Sequence, residues 1–491
     1  MKNIYSKIDY SKNNILIPFF FDNKPMFSTY NPNRDIDLFL RQFEVLENPT
    51  CVFIAGVGTA QHIQKLNENP KISKIICMEY SNQSLEFLEP FLLKSTKIVY
   101  CTLKNYKNAI LENYIPQIHG GFFYAEVKPW VLATKTFSNE FEDNSFKENL
   151  LDIIKSVSRD YSTQSFFGKI WHRNIILNLE NYAIACKNNL LLLPSDFPTE
   201  KTAIIVGASP NLDQKFKKIA KNREKYFIFA TDTSYPVLIQ RDIFPDSVVT
   251  LDGQIASSRH FIHNHSNKTF LIGDFCSNPN IIRDFVKKNC KIAFTNSGHP
   301  LSNLFAFWAK TERNKNLIYN VSAGNGTVLQ LALDFALSIG FTKYEIFGAE
   351  FAYTQSKPYC KGTYFDFQYN SQSTKINSTE QKYNELMFSR KTIPCKNGIT
   401  TENLILYKKF LAKYENNKKY SENLNINLPN ENITKTFFKW YLEKLEKRED
   451  IVKNSILPLQ AWINNCNKNS DIYIEALSFT KKLLLSFTNE E

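Results

Sequence analysis

Between residues 203 and 347, short and mostly apolar runs alternate with helical stretches, and that alternation narrows the choice of fold more than any other feature of the chain. The runs lie at 203–206, 226–230, 247–251, 269–272 and 344–347, with helical stretches such as 214–222 and 327–339 between them. Strands without a polar face must be covered on both sides, so the pattern predicts a doubly wound parallel sheet. Asn211 or Asp213 is expected to cap the first helix and Gly340 to end the last. The same rhythm occurs earlier. Runs at 51–55, 75–78 and 97–101, the first ending in a glycine turn, read as the start of another Rossmann-like sheet.

From about residue 371 the strand signals stop. NSQSTKINSTEQKYNE reads as a loop or mobile link, Thr400 or Thr401 as the cap of an amphipathic helix, and the rest as helical. The expected α/β architecture is two successive Rossmann-like doubly wound domains, 1–195 and 196–370, followed by a helical C-terminal domain, 371–491.

Charge and cysteine usage exclude several classes. The formal net charge of +12 is spread as scattered lysines, with no arginine-rich stripe and no basic run interleaved with aromatics, so a nucleic-acid partner is not expected. A phosphate-bearing ligand needs only a local positive field. The nine cysteines show no CxxC spacing and the seven histidines no ligand pattern, which points to a reducing compartment and assigns no residue to a metal. With no apolar run of membrane-spanning length and no signal-peptide pattern in MKNIYSKIDYSKNNILIPFF, a cytoplasmic protein is expected.

Two strand-end clusters carry the chemistry. In the first, Gly56 and Gly58 follow a strand and open a helix, and Glu79 ends the next strand. Such glycines let a ligand approach the backbone while the acid binds a ribose hydroxyl. Gln61 replaces the third glycine of that motif, which leaves open a plain tight turn with a solvent-facing Glu79.

The second cluster is larger. AIIVGASPNLD runs a strand into Gly207, where φ > 0 and close backbone approach are expected, with Ser209 offering a hydroxyl and the next helix its free amides. Asp232 and Asp252 each stand just past a strand, one strand–helix–strand repeat apart, on the rim that also carries Gly207. Two carboxylates on one rim need partners: ribose hydroxyls, a substrate amine or Mg²⁺, unless each caps its following helix. Ser322, Gly324 and Gly326 precede a further helix, and Gly348, Glu350 and Tyr353 follow the strand at 344–347.

As an ordered set, VGASPNLD, the strand-end Asp232, IFPDSVVTLDG and SAGNGTVLQLALDFALSIGFTKYEIFGAEFAYT resemble the domain shared by motility-associated flagellin glycosyltransferases and archaeal-type hydroxymethylpterin pyrophosphokinases. FSTYNPNRDIDLF, FIAGVGTAQHIQKL and ICMEYS resemble the N-terminal domain of the motility family, whose length and helical tail this chain also follows. The core is similar to GT-A-type bacterial sialyltransferases that use a CMP-linked nonulosonic acid. That resemblance implies a flagellin O-glycosyltransferase moving a pseudaminic- or legionaminic-type sugar from a CMP donor to Ser or Thr. It places Gly207, Ser209, Asn211 and Asp252 on the nucleotide, Ser322, Ala323 and Gly324 on the cytidine, and Asp232, Glu350 and Tyr353 in catalysis. Asp232 or Glu350 is the expected base and Tyr353 the expected phosphate stabiliser, with Lys357, Arg259 or His260 adding positive charge.

Three departures stand out. Asn211 replaces the family's Ser, Glu350 its Asp, and QSKPYCKGTY offers Tyr359 and Tyr364 where the family carries a His, which leaves the catalytic acid open. Flagellin and a CMP-sugar are the implied partners, an oligomer is compatible, and no cofactor is assigned. Two alternatives remain: a pterin pyrophosphokinase-like phosphotransferase with Mg²⁺ on Asp232 and Asp252, and a non-enzymatic flagellin-binding chaperone.

Overall fold

The computed structural model describes residues 2–136, 145–262, 268–322, 327–396, 398–416, 426, 433–466 and 471–488. The chain forms two compact units, Met1–Phe166 and Phe167–Glu491.

The first unit holds a hairpin, β1 (Tyr5–Tyr10) with β2 (Leu16–Phe20), and a parallel sheet of β3 (Thr50–Ala55), β4 (Ile72–Glu79), β5 (Ile98–Thr102) and β6 (Gly121–Glu126) in the order β5-β4-β3-β6. Every residue of β3 is buried, as a strand covered on both faces requires. β6 and the hairpin were not among the expected strands.

The second unit is built on seven parallel strands: β7 (Thr202–Val206), β8 (Tyr226–Thr231), β9 (Ser247–Thr250), β10 (Phe270–Asp274), β11 (Ile292–Asn296), β12 (Tyr319–Asn320) and β13 (Tyr344–Phe347). Their order is β12-β11-β10-β9-β8-β7-β13. The chain therefore works outward from β7 to β12 and then returns to the other side of β7. In doubly wound sheets that reversal opens a crevice at the carboxyl ends of the strands. Side chains alternate strictly between two cores. Ile204, Val206, Ile228, Ala230, Val248 and Leu271 face one, and Ala203, Ile205, Phe227, Phe229, Val249 and Ile272 face the other, against the Val328–Ser338 helix.

The expected helical C-terminal region is present, and its helices pack into the core of the second unit. Phe437, Phe438, Tyr441, Leu459 and Leu484 share one cluster with the sheet, with Ile175, Leu179 and Tyr182 of the long Ser145–Lys187 helix, and with Phe305 and Trp308. Burying that much apolar surface, at roughly 25 cal/mol per Å², favours one continuous core over two small ones. The expected loop after residue 370 is corrected: helices Tyr364–Ser371 and Thr379–Met387 occupy it, and a hairpin of β14 (Thr392–Cys395) and β15 (Gly398–Thr401) follows. No helix among the described residues is long and apolar enough to cross a membrane.

Candidate functional site

β7 ends in Gly207 and β13 in Gly348, and the two turns are packed directly on each other. The Gly207 N–H donates to the Phe347 carbonyl at 2.8 Å and the Ser209 N–H to the Gly348 carbonyl at 3.1 Å. A Cβ on Gly207 would stand 2.4 Å from the Gly348 oxygen, and one on Gly348 as close to the Gly207 oxygen. Gly207 is needed for this contact, not for a left-handed turn; the positive φ, +69°, belongs to Gly348. Neither Asn211 nor Asp213 caps the following helix, since a 3₁₀ turn at Pro210–Gln214 intervenes. Asn211 is half-buried beside Ser209, whose hydroxyl is buried and unpartnered.

Asp232, just past β8, is 4% exposed. Its Oδ1 accepts from the Thr233 amide at 2.7 Å and the Thr233 hydroxyl at 3.2 Å, and its Oδ2 from the Thr250 hydroxyl at 3.2 Å. Asp252 is more open, and its Oδ1 accepts from the Gln254 amide at 2.9 Å. Withdrawal of water raises the Asp252 pKa and the nearby negative charge of Asp232 adds to it. The two aspartates thus do share one rim, and neither caps a helix.

An aromatic wall faces them. Tyr359 stacks on Phe365 with ring centres 5.0 Å apart, and Tyr364 lies 4.1 Å from Phe365. Burial raises the pKa of Tyr359, with smaller upward contributions from Tyr353, Tyr364 and Asp232. Burial likewise raises Tyr364 and Tyr353, opposed by the charges of Arg259 and Arg390 respectively. His260 meets Tyr364 edge-on at 4.5 Å. It is buried, and its pKa is lowered by that burial, with Asp232 pulling the other way. This corrects its expected role: a buried imidazole with a depressed pKa is neutral near pH 7 and adds no positive charge.

The remaining expected residues separate. Glu350 has a buried, unpartnered Oε2 and lines a groove of about 350 Å³ with Tyr344, Glu345, Ile346 and Leu411, along the outer edge of β13. The Tyr353 N–H donates to the Ile399 carbonyl at 2.7 Å, tying this loop to β15. Ser322 is held by its amide, which donates to Asp334 Oδ2 at 2.6 Å. Ala323 and Gly324 lie outside the described residues. Among the described residues no group of three or more His, Cys, Asp and Glu side chains could hold a metal.

A row of buried asparagines on the Ser145–Lys187 helix supports the rim, although no motif in the sequence marks it. Asn174 Nδ2 donates to the carbonyls of Gly253 (2.9 Å) and Cys276 (3.1 Å), and Asn178 Nδ2 to those of Phe275 (2.9 Å) and Ser277 (2.8 Å). These bonds fix the loops that leave β9 and β10, including the residue next to Asp252.

The strand-end cluster of the first unit is closed by its own protein. Glu79 is fully buried and accepts four hydrogen bonds: from Trp130 Nε1 (2.6 Å) and the Tyr80 amide (2.8 Å) on Oε1, and from the Tyr5 hydroxyl (2.9 Å) and the Val57 amide (3.2 Å) on Oε2. Burial raises its pKa against the pull of those donors. A Cβ at Gly58 would stand 2.5 Å from Met26 Sδ, and one at Gly56 would stand 3.0 Å from Trp130. Glu79 is therefore neither a ribose ligand nor a solvent-facing strand end.

Residues 173–356 match the family model described as 6-hydroxymethylpterin diphosphokinase MptE-like. An uncharacterized protein of Treponema pallidum (strain Nichols) is 34% identical over 154 residues, 31% of this chain and 69% of that protein. A second from the same organism is 31% identical over 149 residues, 30% of this chain and 51% of that protein, so the match spans about half of its length. Among solved structures, the MAf glycosyltransferase from Magnetospirillum magneticum AMB-1 overlaps 99% of this chain and 87% of its own, at 14% identity and a TM-score of 0.47.

Proposed function

We propose that this chain, which belongs to one family with the first Treponema pallidum protein and carries an MptE-like domain over residues 173–356, is a glycosyltransferase. Its donor is a CMP-linked nonulosonic acid and its acceptor a Ser or Thr hydroxyl of a protein, flagellin being the acceptor implied by the sequence resemblance. The observation that carries this reading is the polar inventory of the second rim. Ser209 Oγ, His260 Nδ1, Thr354 Oγ1 beside Tyr353 and Thr363 Oγ1 beside Tyr364 are buried without a hydrogen-bond partner among the described residues, whereas the unpartnered Glu350 Oε2 belongs to the outer groove of β13. A buried polar atom left unpaired costs about 1–3 kcal/mol, and a hydroxyl- and phosphate-rich ligand is the kind that satisfies several at once.

In this reading Gly207, Ser209 and Asn211 hold the nucleotide, Asp252 the ribose, and Ser322, Ala323 and Gly324 the cytidine. Departure of CMP leaves an oxocarbenium-like carbon, stabilised by the adjacent sugar carboxylate, while Tyr353 and Lys357 offset charge on the leaving phosphate.

The family description favours one other reading, pyrophosphoryl transfer to a pterin with Mg²⁺ on the aspartates. The three hydrogen bonds already on Asp232 fit a metal poorly, because two of them come from hydroxyls that would have to be displaced. Thermal unfolding with each nucleotide separates the readings. Stabilisation by CMP without Mg²⁺ supports glycosyl transfer, and stabilisation by ATP–Mg²⁺ alone supports the kinase. Binding to flagellin with no response to either supports a chaperone. Intact mass of flagellin co-expressed with this chain and a nonulosonic-acid pathway then tests the transfer itself.

A further inference from the structure

His260 sits at the end of a 3₁₀ element, Ile255–Phe261, that leaves the rim directly after Asp252. The element is anchored by Phe261, whose ring packs on Tyr235 at 5.8 Å and Phe285 at 5.8 Å. The imidazole is 7% exposed, its Nδ1 has no partner, and the ring edge is set against Tyr364. Phe365 borders it at 6.4 Å. A histidine in a purely structural role usually has its buried nitrogen hydrogen-bonded. This one is held by rings, and its Nδ1 has no partner among the described residues.

The other candidates for a base are poorly placed by comparison. Both oxygens of Asp232 are engaged by Thr233 and Thr250, and Glu350 faces the outer groove of β13.

We infer that His260 is the general base of the transfer, an assignment that rests on the glycosyltransferase reading. The acceptor hydroxyl gives its proton to a neutral imidazole nitrogen as its oxygen attacks the anomeric carbon. The bond from that carbon to the phosphate oxygen breaks, and CMP leaves with the electron pair. The carboxylate of Asp232 stabilises the imidazolium that forms, and the proton is released to solvent after the product leaves. Among the described residues, the ionisable groups tied to the ring are Asp232, from the β8 exit, and Tyr364, from the Tyr364–Ser371 helix; the neighbouring Arg259 is turned to Gln368 Oε1 at 3.1 Å. The elements carrying Tyr235 and Phe285 meet the 3₁₀ element through those rings.

The test compares wild type, His260→Gln and Asp232→Asn by CMP-induced thermal shift and by initial rates against pH, with CMP-nonulosonic acid and flagellin. His260→Gln should keep the CMP shift and the KM for donor while kcat falls roughly 10²–10⁴-fold, the usual contribution of a positioned base. Its profile should lose the fall in rate on the acid side that wild type shows below about pH 6.5, the ordinary histidine value. In Asp232→Asn that fall should move to lower pH, because the charge favouring the imidazolium is gone; this arm stands even where His260→Gln does not fold. An active wild type with His260→Gln within a few-fold of it, or an acid limb unmoved in Asp232→Asn, overturns the assignment. A wild type that neither responds to CMP nor modifies flagellin overturns the glycosyltransferase reading, and this inference with it.

Discussion

The two units carry the same device, a glycine turn and an acid at the carboxyl ends of parallel strands, and put it to opposite uses. In the first unit every acceptor site of Glu79 is filled from within, and Trp130, Val127 and Met26 occupy the space around the glycines. Among the described residues the polar atom left over there is His62 Nδ1, set edge-on among the rings of Phe27 and Phe39. In the second unit the glycines touch each other, Asp252 stays open to solvent while Asp232 is buried, and among the described residues several buried hydroxyl, carboxyl and imidazole atoms stay unpaired. On the proposed reading, a Rossmann-like turn serves as a ligand site where the protein leaves it unfilled.

Paired substitutions break this comparison most sharply. Glu79→Gln turns an amide NH₂ toward groups that are themselves donors, so about 2–4 kcal/mol of stability should be lost, with the CMP response unchanged. Asp232→Asn faces three donors, two of them hydroxyls that can turn to accept from an amide, and should cost about 1 kcal/mol or less while reducing transfer. Urea unfolding of both variants reads the difference, and equal losses would mean that the second rim is also a closed structural network.

Ligand binding should sharpen the same contrast. At a hundredfold excess of CMP over its Kd the bound unit gains about 2.7 kcal/mol. Hydrogen-exchange protection should rise in 205–212, 231–234 and 250–262 and stay level in 55–62 and 78–82. Protection at Gly56–Gln61 would show that the first rim is not closed. Of comparable or smaller size is Asn178→Leu, which strands the carbonyls of Phe275 and Ser277 and should cost about 2 kcal/mol. If the asparagine row positions the rim, this variant also weakens the CMP shift; a shift equal to wild type would limit the row to stability.

Both rims were visible in the sequence, but their difference was not. Gly207, Asp232 and Asp252 could be placed because strand ends follow from local apolar runs. What decides ligand site or closed turn comes from far along the chain. Tyr5 and Trp130 reach Glu79 across 74 and 51 residues, and Asn174 reaches Gly253 across 79. Gly207 meets Gly348 only because β13 returns beside β7. The strands β11 and β12 escaped notice because IAFTN and YN are short and end in polar residues that bond one another, Asn296 to Asn320 at 2.8 Å. The helix Thr379–Met387 did leave a signal that its polar setting masked. Ser378 caps it by accepting from the Gln381 amide, the Ser-x-x-Gln start of a capping box.

A further expected effect is in a slope, and it reports on the closed rim alone. His62 Nε2 lies 3.0 Å from the Gly56 carbonyl, and burial lowers its pKa to about 4. Its folded value is below the unfolded 6.5, so between those limits the unfolded chain binds the extra proton and acid favours unfolding. The contribution is fully present above about pH 6.5 and is lost at about 1.4 kcal/mol per pH unit as pH falls toward 4. His172 and His299, buried in the second unit with pKa values lowered to about 3, impose slopes of the same sign there. Replacing His62 by Leu should therefore remove about 1.4 kcal/mol per pH unit from the first unit between pH 6.5 and 4.5 and leave the second unit's acid sensitivity intact. Urea unfolding at several pH values, followed separately for each unit by hydrogen exchange, checks this. An unchanged slope in the first unit would mean that His62 is charged when folded, with its buried Nδ1 paired to an acceptor, and the first rim would then be less completely closed than Glu79 and its four donors make it.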